Sequence, residues 1–513
     1  MKLKDKIGSG ISNFLYPYIQ NEYRMKGDYM KISMNRDQYL LNEKYLWFLG
    51  SEDLLADFYQ TRKSDYSVID TRSEYYYSNV GSNVRVIHSG LPSLISYSKA
   101  RLLMSGELEF TVNKKDKEDK KTTETLKLIY DDNKLDGLIK NSIVTESWGK
   151  QFAWKISFDK DISEYPIVEL YKPQDYKCNY KKGRLQEVVF FNYYEKNGND
   201  YRLEETYGKG YITYELYQYN KDGNEILVPL TELEDTAELE DITWNEKTMI
   251  AGAKEIVKSD YDGIISEFDA LDEAWSQLMD EIRLARSEVY VPEMLLTNRT
   301  FNKFRKNYAV LGNDERETGE NKVTHIQPNI RTDEYGKAID KITSNCLVDV
   351  GLDPFTVGID SGIGANASGD QLAKREASSL RTRGEMIDEW EPFLEEFFFT
   401  LLFANALFNN GNFNRTAKLD ENLSVNVSFG DYISPTRKDL IEETKMMKDA
   451  DIIDTEKAID EIFGDEITEE EKTRILANLG NITEPDTSII DEEDNNLENN
   501  KDSDNNSTQD QKK

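Results

Sequence analysis

Apolar and polar positions change period several times along the 513 residues. Residues 1–105 read as mostly helical. In LPSLISYSKARLLMSG, Leu91, Leu94, Ile95 and Leu102 share one helical face, with Pro92 in the first turn and Gly106 at the end. NKKDKEDKKTTET (113–125) is a mixed-charge run, expected to be a solvated loop. From about 145 to 230 the period shortens to two. EVVFFNYYE, YRLEETY and YITYELYQY are rich in β-branched and aromatic residues, and KNGND, GKG and KDGNE between them are hairpin-type turn signals. They predict an antiparallel meander whose tyrosines pack on the sheet faces.

The helical period returns in SDYDGIISEFDALDEAWSQLMDEIRLARSEV. Ser259 and Asp262 form a capping-box pattern. Ile264, Phe268, Leu271, Trp275, Leu278, Ile282, Ala285 and Val289 then recur at alternating spacings of four and three. This narrow seam predicts a helix of about 26 residues, roughly 39 Å long, packed lengthwise on other helices and broken at Pro292. Arg299, Lys303, Arg305 and Lys306 follow, with no acid between Asn298 and Tyr308. That stretch is a candidate contact for an acidic partner or DNA, or else a solvated strand–loop face. VTHIQPNIRTDEY reads as extended and 333–350 as a second helix.

A loop at 352–368 comes next, containing Asp353, Gly358, Asp360, Gly362, Gly364 and, at its end, Ser368. Gly362, Gly364 and Ala367 fit the G-x-G-x-x-G/A spacing of a dinucleotide loop, but the context fails. GLDPFTVGIDS places Pro354 and two glycines where a buried strand should precede, and Glu385 and Asp388 fall inside a helical pattern rather than at a strand end. Ser368 and Gln371 form the capping box of that helix, so the glycines lie upstream of its N-terminus. A loop of this length between helices is expected to be mobile and functional.

The following helix carries a stripe of small residues at Ala373, Ala377, Leu380, Gly384 and Ile387, expected to pack closely. Pro392 should kink it, and FLEEFFFTLLFANALF is apolar nearly all round, hence buried. VNVSFGDYI reads as a strand, Ser434-Pro435 and Thr468 with Glu471 as starts of short helices, and the tail as disordered.

Charge changes the picture. The formal net charge is −33. Residues 484–513 hold ten acids and three bases, so −26 remains on the body. Such a field repels phosphates and argues against an ordinary DNA-binding surface, but not against a protein that lets DNA pass. Cys178 and Cys346 cannot make a disulfide framework. MKLKDKIGSGISNFLYPYI lacks an apolar signal core, and Phe397–Phe408 is too short to span a bilayer, so an intracellular, soluble protein is expected. His88 and His325 are the only histidines, and His325, beside Pro328, reads as structural. No G-x-x-x-x-G-K-[ST] loop is present. No catalytic residue, metal site or cofactor is predicted.

SDYDGIISEFDALDEAWS, VTHIQPNIRTDEYGKAIDKI, GLDPFTVGI followed by NASGDQLAKREASSLRT, and WEPFLEEFF occur in an order that resembles portal proteins of tailed bacteriophages, particularly long-tailed phages of Gram-positive hosts. The resemblance implies an α+β subunit: a helical and β-meander wing at 1–258, a stem helix at 259–289, a β-rich clip at 290–332 and a second stem helix at 333–350. A tunnel loop at 351–369, a wing return with a kinked helix at 370–430, a helical crown at 431–484 and an acidic tail at 485–513 complete it. It further implies a virion protein, assembled in the host cytoplasm, that forms a ring of typically twelve subunits at one capsid vertex. Double-stranded DNA would pass through the ring without sequence-specific contact. Terminase and later the head–tail connector would dock at the clip, where Arg299, Lys303, Arg305 and Lys306 lie, and scaffold and major capsid protein would be further partners. The loop residues from Asp353 to Ser368 would face the channel. The competing classes are another head–tail assembly component, such as an adaptor, and an acidic intracellular enzyme.

Overall fold

The computed structural model describes residues 36–63, 86–115, 117–219, 225–285, 288–292, 308–311, 324–326, 329–359, 369–408, 413–420 and 422–430, with scattered positions between 444 and 474. The chain divides into two units, Met1–Tyr432 and Ile433–Lys513.

The first described elements of the first unit are helices α1 (Arg36–Leu49), α2 (Glu52–Lys63) and α3 (Leu91–Leu103). In α3, Leu91, Ile95 and Leu102 are buried as their spacing requires, and Leu94 is partly so. The charged run at 113–125 is not a loop. It ends strand β1 (Leu108–Lys114), supplies β2 (Lys117–Glu118) and begins helix α4 (Lys120–Asp132). Asp119 caps α4 by accepting from the Thr122 N–H at 3.4 Å, and it also accepts from the Thr122 hydroxyl at 2.9 Å; Leu126, Ile129 and Tyr130 are buried. The lysines fill the exposed first turns of an amphipathic helix whose apolar face begins only at Leu126.

Helix α5 (Leu135–Gly149) is buried over most of its last half and leads into β3 (Gln151–Ser157) and β4 (Ile167–Tyr171). The expected meander follows as β5 (Tyr176–Lys181), β6 (Arg184–Lys196), β7 (Asn199–Gly208), β8 (Tyr211–Tyr219) and β9 (Glu225–Val228), with β10 (Ile242–Thr243) added later. Its order is β10-β8-β7-β6-β5, with β9 also on β8, and every pairing is antiparallel. Asn197 and Gly198 have φ of 56° and 75°, which a two-residue type I′ hairpin demands. Tyr176, Tyr201 and Tyr207 are buried, and Tyr207 meets Phe190 edge-on at 5.2 Å. β11 (Ala251–Glu255) joins β3 and β4 in a separate sheet.

Helix α6 (Ile265–Leu284) is shorter than its seam predicts. Only half of the capping box forms: Asp262 Oδ2 accepts from the Ser259 N–H at 3.0 Å, and a turn with Gly263 at φ 94° precedes the helix. At the other end Val289 belongs to β12 (Glu288–Pro292). This strand pairs in parallel with β13 (Tyr308–Leu311) and antiparallel with β14 (Thr324–Ile326). The β-branched run thus answers to distant strands rather than to the helical period, and Pro292 ends a strand, not the helix. Helix α7 (Thr332–Asp349), a 3-10 turn at Pro354–Val357 and helix α8 (Gly369–Leu407) follow, and then β15 (Leu423–Phe429) pairs with β1.

α8 is one 39-residue helix that continues through Pro392. Leu394, Phe397, Phe398, Leu401 and Leu407 are buried. Around them the core is aromatic: Phe152 stacks on Trp390 at 5.3 Å, and Trp154 meets Phe397 edge-on at 4.6 Å. Gly252 lies where a Cβ would come within 2.8 Å of the Phe397 ring, so β11 packs backbone-close onto α8. In the second unit the described residues are short helical pieces, one of them started by Asp454, whose carboxylate accepts from the Lys457 N–H at 2.8 Å. The helix starts expected at Ser434 and at Thr468 lie outside the described residues.

Candidate functional site

α6 and α7 run antiparallel. Arg331, just ahead of α7, donates to Glu281 near the end of α6 at 3.0 Å. At the opposite end the Cys346 thiol donates to Glu267 at 3.3 Å. Burial, with the Glu267 carboxylate adding to it, pushes the Cys346 thiol far up, so it stays protonated and is no nucleophile. Phe268 and Leu271 of α6 and Ile339 and Leu347 of α7 are buried.

The seam is buried only toward the start of α6. Further along, Trp275, Met279 and Ile282 are 37%, 39% and 42% exposed, and their i, i+4, i+7 spacing puts them on one stripe. Of the seam expected to be covered along its length, Leu278 still packs against the core, while Trp275 and Ile282, with Met279 beside them, are left exposed.

Polar clasps hold the foot of this helix pair. Asp272 is fully buried; it contacts His88 Nδ1 at 2.8 Å and accepts the Ser89 N–H at 2.8 Å. Ser276 accepts the Ile87 N–H at 2.9 Å and donates to the Asp272 carbonyl. A serine, histidine and aspartate in one place invite a hydrolase reading, and the geometry refuses it. The Ser276 proton is committed to a carbonyl, and a Cβ on Gly50 would sit 2.9 Å from His88 Nε2, so no substrate fits there. Nearby, Lys99 pairs with Asp260 at 2.8 Å, and Asp260 accepts from Ser147 at 2.6 Å. Burial raises the Glu146 carboxyl, while contact with Lys254 and a 2.9 Å bond from Trp390 Nε1 pull it back.

The segment after α7 starts with a Schellman turn. The Leu352 N–H reaches the Leu347 carbonyl at 2.8 Å and the Gly351 N–H reaches Val348 at 3.0 Å. Gly351 sits at φ 75°, and a Cβ there would lie 2.3 Å from Thr382 Oγ1, which itself donates to the Gly351 carbonyl at 2.8 Å. Ser379 receives the Asp353 N–H at 2.9 Å and hydrogen-bonds Thr356 at 2.8 Å. The first part of the loop is thus pinned to α8.

Of the sequence-predicted residues, Asp353 lies in this pinned turn and Gly358 closes it at φ 82° in open space. Asp360, Gly362, Gly364 and Ser368, and likewise Arg299, Lys303, Arg305 and Lys306, lie outside the described residues. The described part of α8 runs from Gly369, so the cap expected at Ser368 falls outside the described residues. The small-residue stripe of α8 is packed only in part: Ile387 lies against the core, whereas Leu380 is 38% exposed and Gly384 faces open space. The buried neighbour is Arg383, which bonds the carbonyls of Leu102 and Gly430. Gly351, Ser379, Thr382 and Arg383 went unnoticed in the sequence. Only Gly351 carried a signal, a glycine just past a helical pattern.

Among the described residues no group of three or more His, Cys, Asp or Glu side chains could hold a metal. Nor is any helix among them long and apolar enough to cross a membrane.

No curated protein matches the chain. Solved structures that resemble it include the neck of an empty GTA particle computed with C6 symmetry, at 9% identity and a TM-score of 0.42, covering 73% of this chain and 90% of that one. The neck of a native GTA particle computed with C12 symmetry has the same identity and coverage and a TM-score of 0.35. The family model described as phage portal protein, SPP1 Gp6-like, matches residues 55–484, a span that runs from α2 past β15 and takes in the helix pair, its clasps and the pinned turn. On a match of that length, the chain belongs to the SPP1 Gp6-like family of phage portal proteins.

Proposed function

We propose that the chain is the subunit of a portal ring at one capsid vertex, typically twelve copies, through which double-stranded DNA is packaged and later ejected. The observation that carries this reading is the family match over 55–484. The physics of the subunit supports it. A head-to-tail ring needs open faces on each copy, and the Trp275–Met279–Ile282 stripe of α6 and the Leu380–Gly384 face of α8 are such faces. Twelve copies at −33 carry −396, a field that keeps DNA from sticking as it moves.

In this reading 1–258 and 370–430 form the wing, 259–289 and 333–350 the stem, 290–332 the clip, 351–369 the tunnel loop and 431–484 the crown. Terminase, which supplies the ATPase, docks on the clip during packaging and the head–tail connector replaces it. Arg299, Lys303, Arg305 and Lys306 supply the docking charge. Scaffold and major capsid protein hold the ring in the shell. The loop from Asp353 to Ser368 crowds the DNA with acidic side chains and glycine backbone, without binding it.

The test is DNA packaging by heads built with altered subunits. Gly362→Val with Gly364→Val is expected to leave rings intact and packaging poor. Arg305→Glu with Lys306→Glu is expected to weaken terminase binding. Normal packaging and normal terminase binding by both variants would overturn these assignments.

A further inference from the structure

The six-stranded sheet has oppositely charged edges. At one edge, β5 and its turn into β6 carry Lys177, Lys181, Lys182 and Arg184, with no acid between Tyr176 and Arg184. All four are exposed, and among the described residues β5 pairs only with β6. Two acids on this side of the sheet are already engaged: Glu187 accepts from Tyr211 and from Asn179, and Glu255 pairs with Lys150. At the other edge, residues 230–246 hold seven acids and no base. Glu234, Asp235, Glu238, Glu240 and Asp241 are exposed there.

The two edges are also level with one another. Cys178 pairs with Val188, Val188 with Tyr207, Tyr207 with Ile212 and Ile212 with Ile242. One row of residues therefore crosses the sheet from the basic hairpin to the acidic segment beside β10, a width of about 19 Å over four strand spacings.

We propose that this sheet makes a head-to-tail contact between copies of the chain: the basic β5–β6 hairpin of one subunit lies against the acidic 234–241 segment of the next. The proposal rests on the ring reading above and names a surface that ring uses. A lysine-bearing edge strand by itself only discourages strand addition. Here the acidic counterpart on the opposite edge gives it a partner, and a heterologous ring requires two different complementary patches on each subunit. The contact is made through side chains rather than by a shared ladder, because a bulge between Asn179 and Tyr180 interrupts the register of β5. In a chain of net charge −33, a basic edge also offsets the mutual repulsion of neighbouring copies.

The experiment is a charge swap in the full-length chain. One variant carries Lys177→Glu and Lys181→Glu; the other carries Glu238→Lys and Glu240→Lys. These positions are exposed and none of them is one of the two positive-φ turn residues Lys182 and Gly183, and circular dichroism checks that each variant folds. At low salt each variant alone is expected to self-associate at least about ten-fold more weakly than wild type, because like charges then meet at every contact. An equimolar mixture is expected to recover assembly to within about three-fold, with the two variants alternating. A wild type that never assembles would overturn the ring reading itself. Wild-type rings with both variants and their mixture unchanged would overturn the edge contact and leave the ring standing. Unchanged rings with weaker double-stranded DNA binding by the first variant would assign the hairpin to nucleic acid, and would also overturn the proposal.

Discussion

Gly351 has two reasons to be glycine. Its φ of 75° closes the Schellman turn after α7, and its missing side chain leaves room for Thr382 Oγ1. Gly351→Ala is expected to cost about 1–3 kcal/mol in denaturant unfolding, the sum of a left-handed backbone penalty and a displaced hydroxyl. Adding Thr382→Ala should return part of that loss, so the double variant is less destabilised than the two singles added together. Asp175 makes a second prediction at this scale. Burial pushes its carboxyl up to about 6, and Lys172 offsets this only in part. That value lies above the roughly 3.9 of an unfolded aspartate, so the native state binds the proton more tightly and stability falls as pH rises between about 4 and 6. Asp175→Asn is expected to stabilise the protein by about 1–3 kcal/mol at pH 8, with the gain vanishing near pH 4 in paired thermal melts.

The open half of α6 is a property of an element. Trp275 and Met279 are already more than a third exposed in the single chain. About six tenths of each side chain is still buried, so Trp275→Ser with Met279→Ser should cost the monomer about 2–4 kcal/mol in denaturant unfolding and, under conditions where the variant stays folded, lower the assembled fraction seen by light scattering. The same helix shows what periodicity can and cannot tell. The seam located α6, the turn signals located the hairpins of the meander, and α7 began within a residue of its expected start, because all of these depend on local spacing. The end of α6 was not legible. Val289 fits the helical repeat, and only pairing with residues 308–311 and 324–326 makes it a strand. The pins of the loop were hidden for a related reason. Ser379, Thr382 and Arg383 look like ordinary polar helix residues, and the backbone groups they pin are 26 or more positions away. The start of α4 was masked by its lysines, although Asp119 stood at the cap position.

At the scale of the whole molecule, the chain combines a strongly acidic body, an exposed apolar stripe, the open Leu380–Gly384 face and a sheet with one basic and one acidic edge. In the proposed ring, a neighbour placed head to tail would cover these faces. Added salt should weaken assembly through the sheet edges, because exposed charges are screened beyond about 10 Å at 0.1 M. The apolar stripe should not share that loss. Assembly followed against salt concentration by light scattering therefore separates the two contributions. The central claim is the closed ring. Negative-stain imaging of the purified full-length chain tests it most directly: the account predicts particles of cyclic symmetry with a central hole, and single compact particles without a hole at every concentration would contradict it.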